Sequence, residues 1–275
     1  MCSVFLAGIF VSGYKIFHIL KEYRAGEIAY EELYKYAPVI DEEGDEQYMG
    51  ETEPESHKPE SFEPQASEQK TQSNAPNKTN KPSSAPKTIG PPDFDALRAI
   101  NSDIAAWIYM NGCNINYPVV RGENNDFYLN HLFNKKYNGA GCIFLDYRND
   151  PGFTARNSVI YGHSMKNGSM FASLKKYKKQ SFYDKYPVFH LFTPEGDQLV
   201  EIFSGYVAPS SDNAWKISFY DDDDFALWLN ERIEKSMFRS SVSPSPEDRI
   251  ITLSTCTYEF NDARFVLFGR IQQKE

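Results

Sequence analysis

A cysteine ends one apolar run, Ile250-Ile251-Thr252-Leu253-Ser254-Thr255-Cys256, and an arginine opens the next, Arg264-Phe265-Val266-Leu267-Phe268-Gly269-Arg270-Ile271. Both runs have the β-branched and aromatic composition of strands. If the chain turns back between Tyr258 and Ala263, the strands pair and Arg264 lies beside Cys256. A thiolate is a strong nucleophile, and a guanidinium beside it stabilises negative charge on the sulfur and on an oxyanion. From spacing alone, an inert buried thiol and an ion pair of Arg264 with Asp262 or Glu259 are the plainer readings.

A thiol nucleophile also needs a proton carrier. His18 lies in an apolar segment and His57 in a polar one. His131 sits in the helical-looking FYLNHLF, and His190 lies inside the strand-like VFHLF. His163 follows the strand-like NSVIY, with Gly162 relaxing the backbone before it, where a solvent-reachable imidazole would be placed. A lone loop histidine is usually polar surface, so this position by itself carries little.

These residues need a scaffold. Asp93 can cap a helix running to about Trp107, with Phe94, Leu97, Ile100, Ile104 and Trp107 at helical spacing. Asn111-Gly112 marks a turn. Strand-like runs follow at Ile115 to Val120, Cys142 to Asp146, Ser158 to Tyr161, Val188 to Phe192, Gln198 to Val207, Arg249 to Ser254 and Arg264 to Ile271. Thr193 to Asp197 joins two of them as a hairpin. The acidic run Asp221 to Asp224 opens a helix carrying Phe225, Trp228, Leu229, Ile233 and Met237, where carboxylates suit the positive end of the helix dipole better than they suit a metal. Many short strands with a few helices imply a closed or nearly closed barrel.

The chain has 275 residues and a formal net charge of −9. Composition divides it into three. Residues 1–24 are read as a membrane anchor: Val4 to Leu20 holds one formal charge, Lys15. A bilayer-crossing helix needs about twenty mostly apolar residues, so Lys15 would have to snorkel to an interface. A signal peptide would want basic residues first, and only Met1, Cys2 and Ser3 precede the run. Lys21 and Arg24 oppose an outward-facing domain by the positive-inside rule, which a start upstream of Met1 would reconcile. Residues 25–92 form a membrane-proximal segment, with Ile28, Leu33 and Tyr36 at helical spacing before Pro38, and then an acidic, proline-rich linker too polar to order itself. Residues 93–275 are dense in Tyr, Phe, Val and Ile and long enough for one core.

The acidic balance argues against a nucleic-acid partner. The basic run Lys175 to Lys179 reads as a solvated face, or else as a patch for anionic wall polymer or lipid headgroups. Cys2, Cys113, Cys142 and Cys256 fit no zinc motif. A Cys113–Cys142 disulfide and two free buried thiols are both open.

Thr252-Leu253-Ser254-Thr255-Cys256, followed by Arg264 at the head of the last strand, resembles the signature of the sortases. Tyr161-Gly162-His163-Ser164-Met165 resembles their catalytic-histidine segment. The spans INSDIAAWIYMNGCNINYPVVRGENNDFYLN and GAGCIFLDYRN, and the helix between Asp221 and Ser236, look like class B of that Gram-positive family. The similarity covers nearly all of Asp93 to Ile271. It implies a mostly β fold: a sortase-type closed β-barrel with an N-terminal helix and an inserted helix before the cysteine strand. It implies Cys256 as nucleophile, His163 as general acid/base, Arg264 as oxyanion partner and Ser254 as a substrate contact, a plain strand hydroxyl being the alternative for Ser254.

The implied enzyme is a cysteine transpeptidase. It would cleave the C-terminal sorting motif of secreted proteins at a threonine carbonyl and hold the acyl group as a thioester. It would then pass that group to the amine of a peptidoglycan precursor or cross-bridge, with no metal or organic cofactor. It would be a single-pass protein of the cell membrane with its catalytic domain outside. Two alternatives are a pilin-polymerising sortase with a lysine acceptor and an inactive wall-associated binding module, which would have no chemical need for Cys, His and Arg together.

Overall fold

The computed structural model describes residues 2–41 and 87–272, so most of the expected linker lies outside the described residues. Helix α1 (Cys2–Leu33) leads through a 3-10 turn to β1 (Val39–Asp41), which pairs antiparallel with β2 (Lys87–Gly90). Helix α2 (Phe94–Ile100) follows. Then come β3 (Ile104–Met110), β4 (Ile115–Val120), β5 (Ile143–Leu145) and β6 (Asn157–Tyr161). Helix α3 (Gln180–Lys185) precedes β7 (Val188–Thr193) and β8 (Gly196–Ala208), and α4 (Asp222–Glu234) precedes β9 (Ile250–Cys256) and β10 (Arg264–Ile271). Among the described residues, β3 to β10 close into a barrel in the order β10-β8-β7-β3-β4-β5-β6-β9. The mostly β, closed-barrel expectation therefore holds.

Helix α2 is shorter than its spacing predicts. Asp93 caps it, accepting from the Ala96 N–H at 3.0 Å, but α2 ends at Ile100. Asn101 breaks it: its side chain donates to the Tyr128 hydroxyl at 2.8 Å and to the Phe133 carbonyl at 2.6 Å. Ile104 and Trp107 then lie in β3, where every residue is buried. A strand buried on both faces has no alternation, so its apolar residues match a helical template by accident.

Residues upstream of Asp93 pack on the same body. Tyr30 and Leu33 of α1 join the main core. The Tyr30 hydroxyl donates to Cys142 Sγ at 3.5 Å, Asn138 Nδ2 donates to the Glu22 carbonyl at 2.8 Å, and the Asp93 N–H reaches the Tyr36 carbonyl at 3.0 Å. Among the described residues, no helix is long and apolar enough to cross a membrane.

Helix α4 covers the outside of β8 and β10. Phe225, Trp228, Leu229 and Arg232, spaced as one helical face, are its buried residues. The first three form a second cluster with Phe203, Tyr206, Val266 and Phe268. Asp221 caps this helix by accepting from the Asp224 N–H at 2.9 Å, as the acidic run predicts.

Candidate active site

β9 lies between two partners that each bring one chemical group to its end. On one side β10 pairs antiparallel, with Arg264 opposite Cys256. Directly opposed residues point to the same face, with Cβ atoms about 4.5–5.5 Å apart. On the other side β6 pairs parallel, with Tyr161 opposite Ser254, and the chain leaves β6 through Gly162 to His163. This exit is pinned twice: the Gly162 N–H donates to the Ser254 carbonyl at 3.1 Å, and Thr255 Oγ1 donates to the Gly162 carbonyl at 2.8 Å. Gly162 is needed for space rather than for conformational freedom. A Cβ there would lie 2.5 Å from Ile143 Cδ1 and 2.8 Å from the Phe171 ring.

Cys256, His163 and Arg264 are each partly exposed and line one open cleft of about 360 Å³. Arg264 donates to the Ala263 carbonyl at 3.1 Å. Among the described residues no carboxylate pairs with it, and Glu259 pairs instead with Lys178. His163 Nε2 lies 2.7 Å from the Leu129 carbonyl. A carbonyl only accepts, so Nε2 carries a proton and Nδ1 is the nitrogen left for proton transfer. Ser254 Oγ lines the same cleft and accepts from the Trp215 indole at 3.0 Å.

Tyr161, which also lines the cleft, donates to the buried Asp146 at 3.0 Å, and Arg148 grips the same carboxylate with two donors at 2.8 and 2.7 Å. Burial opposes ionisation of Asp146, but the Arg148 and Tyr161 hydrogen bonds outweigh it and hold the carboxyl below its usual range. Burial and the Asp146 charge push the Tyr161 phenol up, so it stays neutral. Sequence reasoning gave Asp146, Tyr161 and Trp215 no role. The signal available was Leu145-Asp146-Tyr147-Arg148, where a charge follows directly on a buried strand.

The remaining candidates lie elsewhere. His131 stacks on Phe127 with ring centroids 4.0 Å apart and bonds the Phe127 carbonyl. His190 is buried against Asp197 at 3.1 Å. Cys113 and Cys142 are free thiols rather than a disulfide. Burial pushes their thiols up, to about 11 and about 12.

A thiol and a guanidinium side by side, with an imidazole on the same rim, can break an amide through a thioester and re-form it on another amine. That is the equipment of a cysteine transpeptidase. No protein-family model matches the chain. It is 37% identical over 182 residues to Sortase B of Staphylococcus aureus, covering 66% of this chain and 75% of that one. It is 37% identical over 180 residues to Sortase B of Listeria monocytogenes, covering 65% of this chain and 73% of the relative. The solved Staphylococcus aureus sortase B–substrate complex superposes with a TM-score of 0.63 at 36% identity, over 66% of this chain and 85% of that one. The chain belongs to the sortase B family, and with it to the cysteine transpeptidases.

Proposed function

We propose that this transpeptidase cleaves the C-terminal sorting motif of secreted proteins through Cys256. Cys256 gives its thiol proton to His163 Nδ1, and the resulting thiolate attacks the threonine carbonyl of the motif. Arg264 and backbone N–H groups hold the tetrahedral oxyanion, and His163 protonates the departing amine as the C–N bond breaks. The C–S thioester is then attacked by an amine of a peptidoglycan precursor or cross-bridge. His163 takes the proton from that amine, and a new amide forms as sulfur leaves.

The observation that carries this reading is the cross-strand pairing of Cys256 with an arginine that has no carboxylate partner among the described residues, beside His163 in one cleft. The Staphylococcus aureus relative solved as a sortase B–substrate complex supports a substrate-binding role for this fold. Ser254 keeps its own O–H to offer a peptide carbonyl, since its oxygen accepts from Trp215. We place the enzyme on the outer face of the cell membrane, tethered through residues 1–24. The exposed Tyr14, Ile16, Phe17, Ile19 and Leu20 of α1 support an apolar attachment.

The test is incubation with a library of threonine-containing sorting peptides and, separately, an added amine, followed by mass spectrometry. The expected result is a peptide adduct on Cys256 that the amine releases as a new amide, absent in Cys256→Ala. An adduct on another residue, or none with any peptide, overturns the reading. His163→Ala should lose about 10²–10⁴-fold in turnover, while His131→Ala and His190→Ala stay near wild type. Equal losses at His131 with the fold intact would reassign the acid/base.

A further inference from the structure

In sequence, the basic run Lys175-Lys176-Tyr177-Lys178-Lys179 reads as a solvated face. The structure divides it. Tyr177 is fully buried and anchors a 3-10 turn, Ala172–Lys178. Lys176 and Lys179 are exposed, whereas Lys175 and Lys178 are half-buried and point to opposite halves of the active site. Lys175 Nζ donates to Ser164 Oγ at 2.8 Å, on the residue after His163. The Phe171 N–H, just before the turn, donates to the His163 carbonyl at 2.9 Å. Lys178 pairs with Glu259 and lies 3.4 Å from Thr257 Oγ1. It also sits 5.7 Å from the Phe265 ring centroid. Thr257 is next to Cys256, Phe265 is next to Arg264, and Glu259 lies in the connection between them. Thr257 Oγ1 donates in turn to Glu259 Oε2 at 2.6 Å.

We propose that Lys178, with Glu259 as its partner, is a positioning residue that clamps the Cys256–Arg264 connection to the segment leaving His163. The proposal rests on the transpeptidase reading of those three residues. The connection needs such a clamp because it packs poorly on its own: Tyr258 is 79% exposed and Phe260 46%. A partly exposed ion pair contributes little to global stability. Misplacement of catalytic groups by about 1 Å, however, can cost about 10²-fold in rate. The clamp therefore acts on turnover rather than on folding. The lysines that remain exposed, Lys176 and Lys179, have no part in it.

The experiment measures single-turnover acylation with a fluorogenic peptide carrying threonine at the scissile carbonyl, selected from a library on the wild-type enzyme. The proteins are wild type, Lys178→Ala, Lys178→Arg, Glu259→Gln and the Lys178→Ala/Glu259→Gln double variant. The clamp predicts acylation about tenfold slower in Lys178→Ala and in Glu259→Gln, with KM within about twofold, most of the rate restored in Lys178→Arg, and no further loss in the double variant. Glu259 is 41% exposed, so Glu259→Gln should lower the melting temperature only slightly, and a variant that stays fully folded at the assay temperature yet acylates slowly separates positioning from unfolding. Wild-type rates in both single variants, additive losses in the double, or a loss confined to KM overturn the clamp. A wild-type enzyme that forms no acyl-enzyme with any peptide removes the transpeptidase reading and the clamp with it, an outcome distinct from failure of the clamp alone.

Discussion

Arg264 meets Cys256 across a β-ladder, so backbone register fixes where its side chain starts before any substrate arrives. If it supplied only charge, lysine would serve nearly as well. A guanidinium presents a planar, rigid fork, whereas an ammonium is a flexible, strongly hydrated point charge. Losing one oxyanion donor typically costs about 10²–10³-fold in turnover. Arg264→Lys should therefore keep fold and peptide affinity and lose acylation rate by about that factor. Near-normal acylation in single-turnover kinetics would leave Arg264 a general electrostatic residue. The thiols give a second test at this scale. With Cys113 and Cys142 held at about 11 and about 12 by burial, both stay protonated at pH 8. Iodoacetamide in the folded protein should label Cys256 well ahead of them, and early labelling of Cys142 would contradict its burial. Spacing alone left Cys256, His163 and Arg264 open to plainer readings, and it was the likeness of their segments to the sortase motifs that singled them out; the structure brings all three to one cleft. Trp215 was not legible, since its partner Ser254 lies 39 residues away along the chain, and Asp146 offered only the short pattern Asp146-Tyr147-Arg148, whose pairing a sequence does not display.

The elements most legible in sequence were those with chemistry at their ends. Asp221 to Asp224 announced α4, and its cap carries a measurable share of stability. Asp221→Ala removes the acceptor for the Asp224 N–H and should cost about 1 kcal/mol, read as a lower urea midpoint at unchanged slope; no change would mean that water or a neighbouring carboxylate replaces the cap. Less legible was the boundary between α2 and β3, because Asn101 ends the helix through contacts with Tyr128 and Phe133, residues that propensity cannot see. The β9–β10 connection adds a pH signature. Burial opposes ionisation of Glu259, yet hydrogen bonds from Lys178 and Thr257 pull its carboxyl down to about 2 from an ordinary value of 4.5. A depressed carboxyl contributes stability above its unfolded value and loses it as pH falls toward the folded one. Between pH 4.5 and 2 the wild type should thus lose more stability than Glu259→Gln. The effect is modest because Glu259 is 41% exposed, and parallel acid-denaturation curves would show that the bond is absent in solution.

At the scale of the whole molecule, the barrel is not bounded by its own strands. The expected division at Asp93 separates a catalytic span from an anchor and tether, yet Tyr30 and Leu33 of α1 are 4% and 1% exposed inside the main core. Tyr30 packs edge-on against Tyr117 with ring centroids 5.1 Å apart, and its hydroxyl reaches Cys142. Tyr117 in turn accepts from the Met170 N–H at 3.4 Å, on the segment that follows His163. Removing everything before Asp93 would expose Tyr117 and the surroundings of Cys142. It would also forfeit the burial of two large side chains, each contributing about 1.5–3 kcal/mol. For a domain of this size about 1 kcal/mol shifts the melting temperature by roughly 2–4 °C. We expect a protein starting at Asp93 to melt on the order of 10 °C below the full chain and, where it remains folded, to acylate more slowly because the segment after His163 loses its backing. Leu33→Ala in the full chain should reproduce part of the stability loss, at about 2–5 kcal/mol. Coincident melting curves for the full and truncated proteins would show that α1 rests on the barrel without supporting it, and that the division at Asp93 is the true edge of the folding unit.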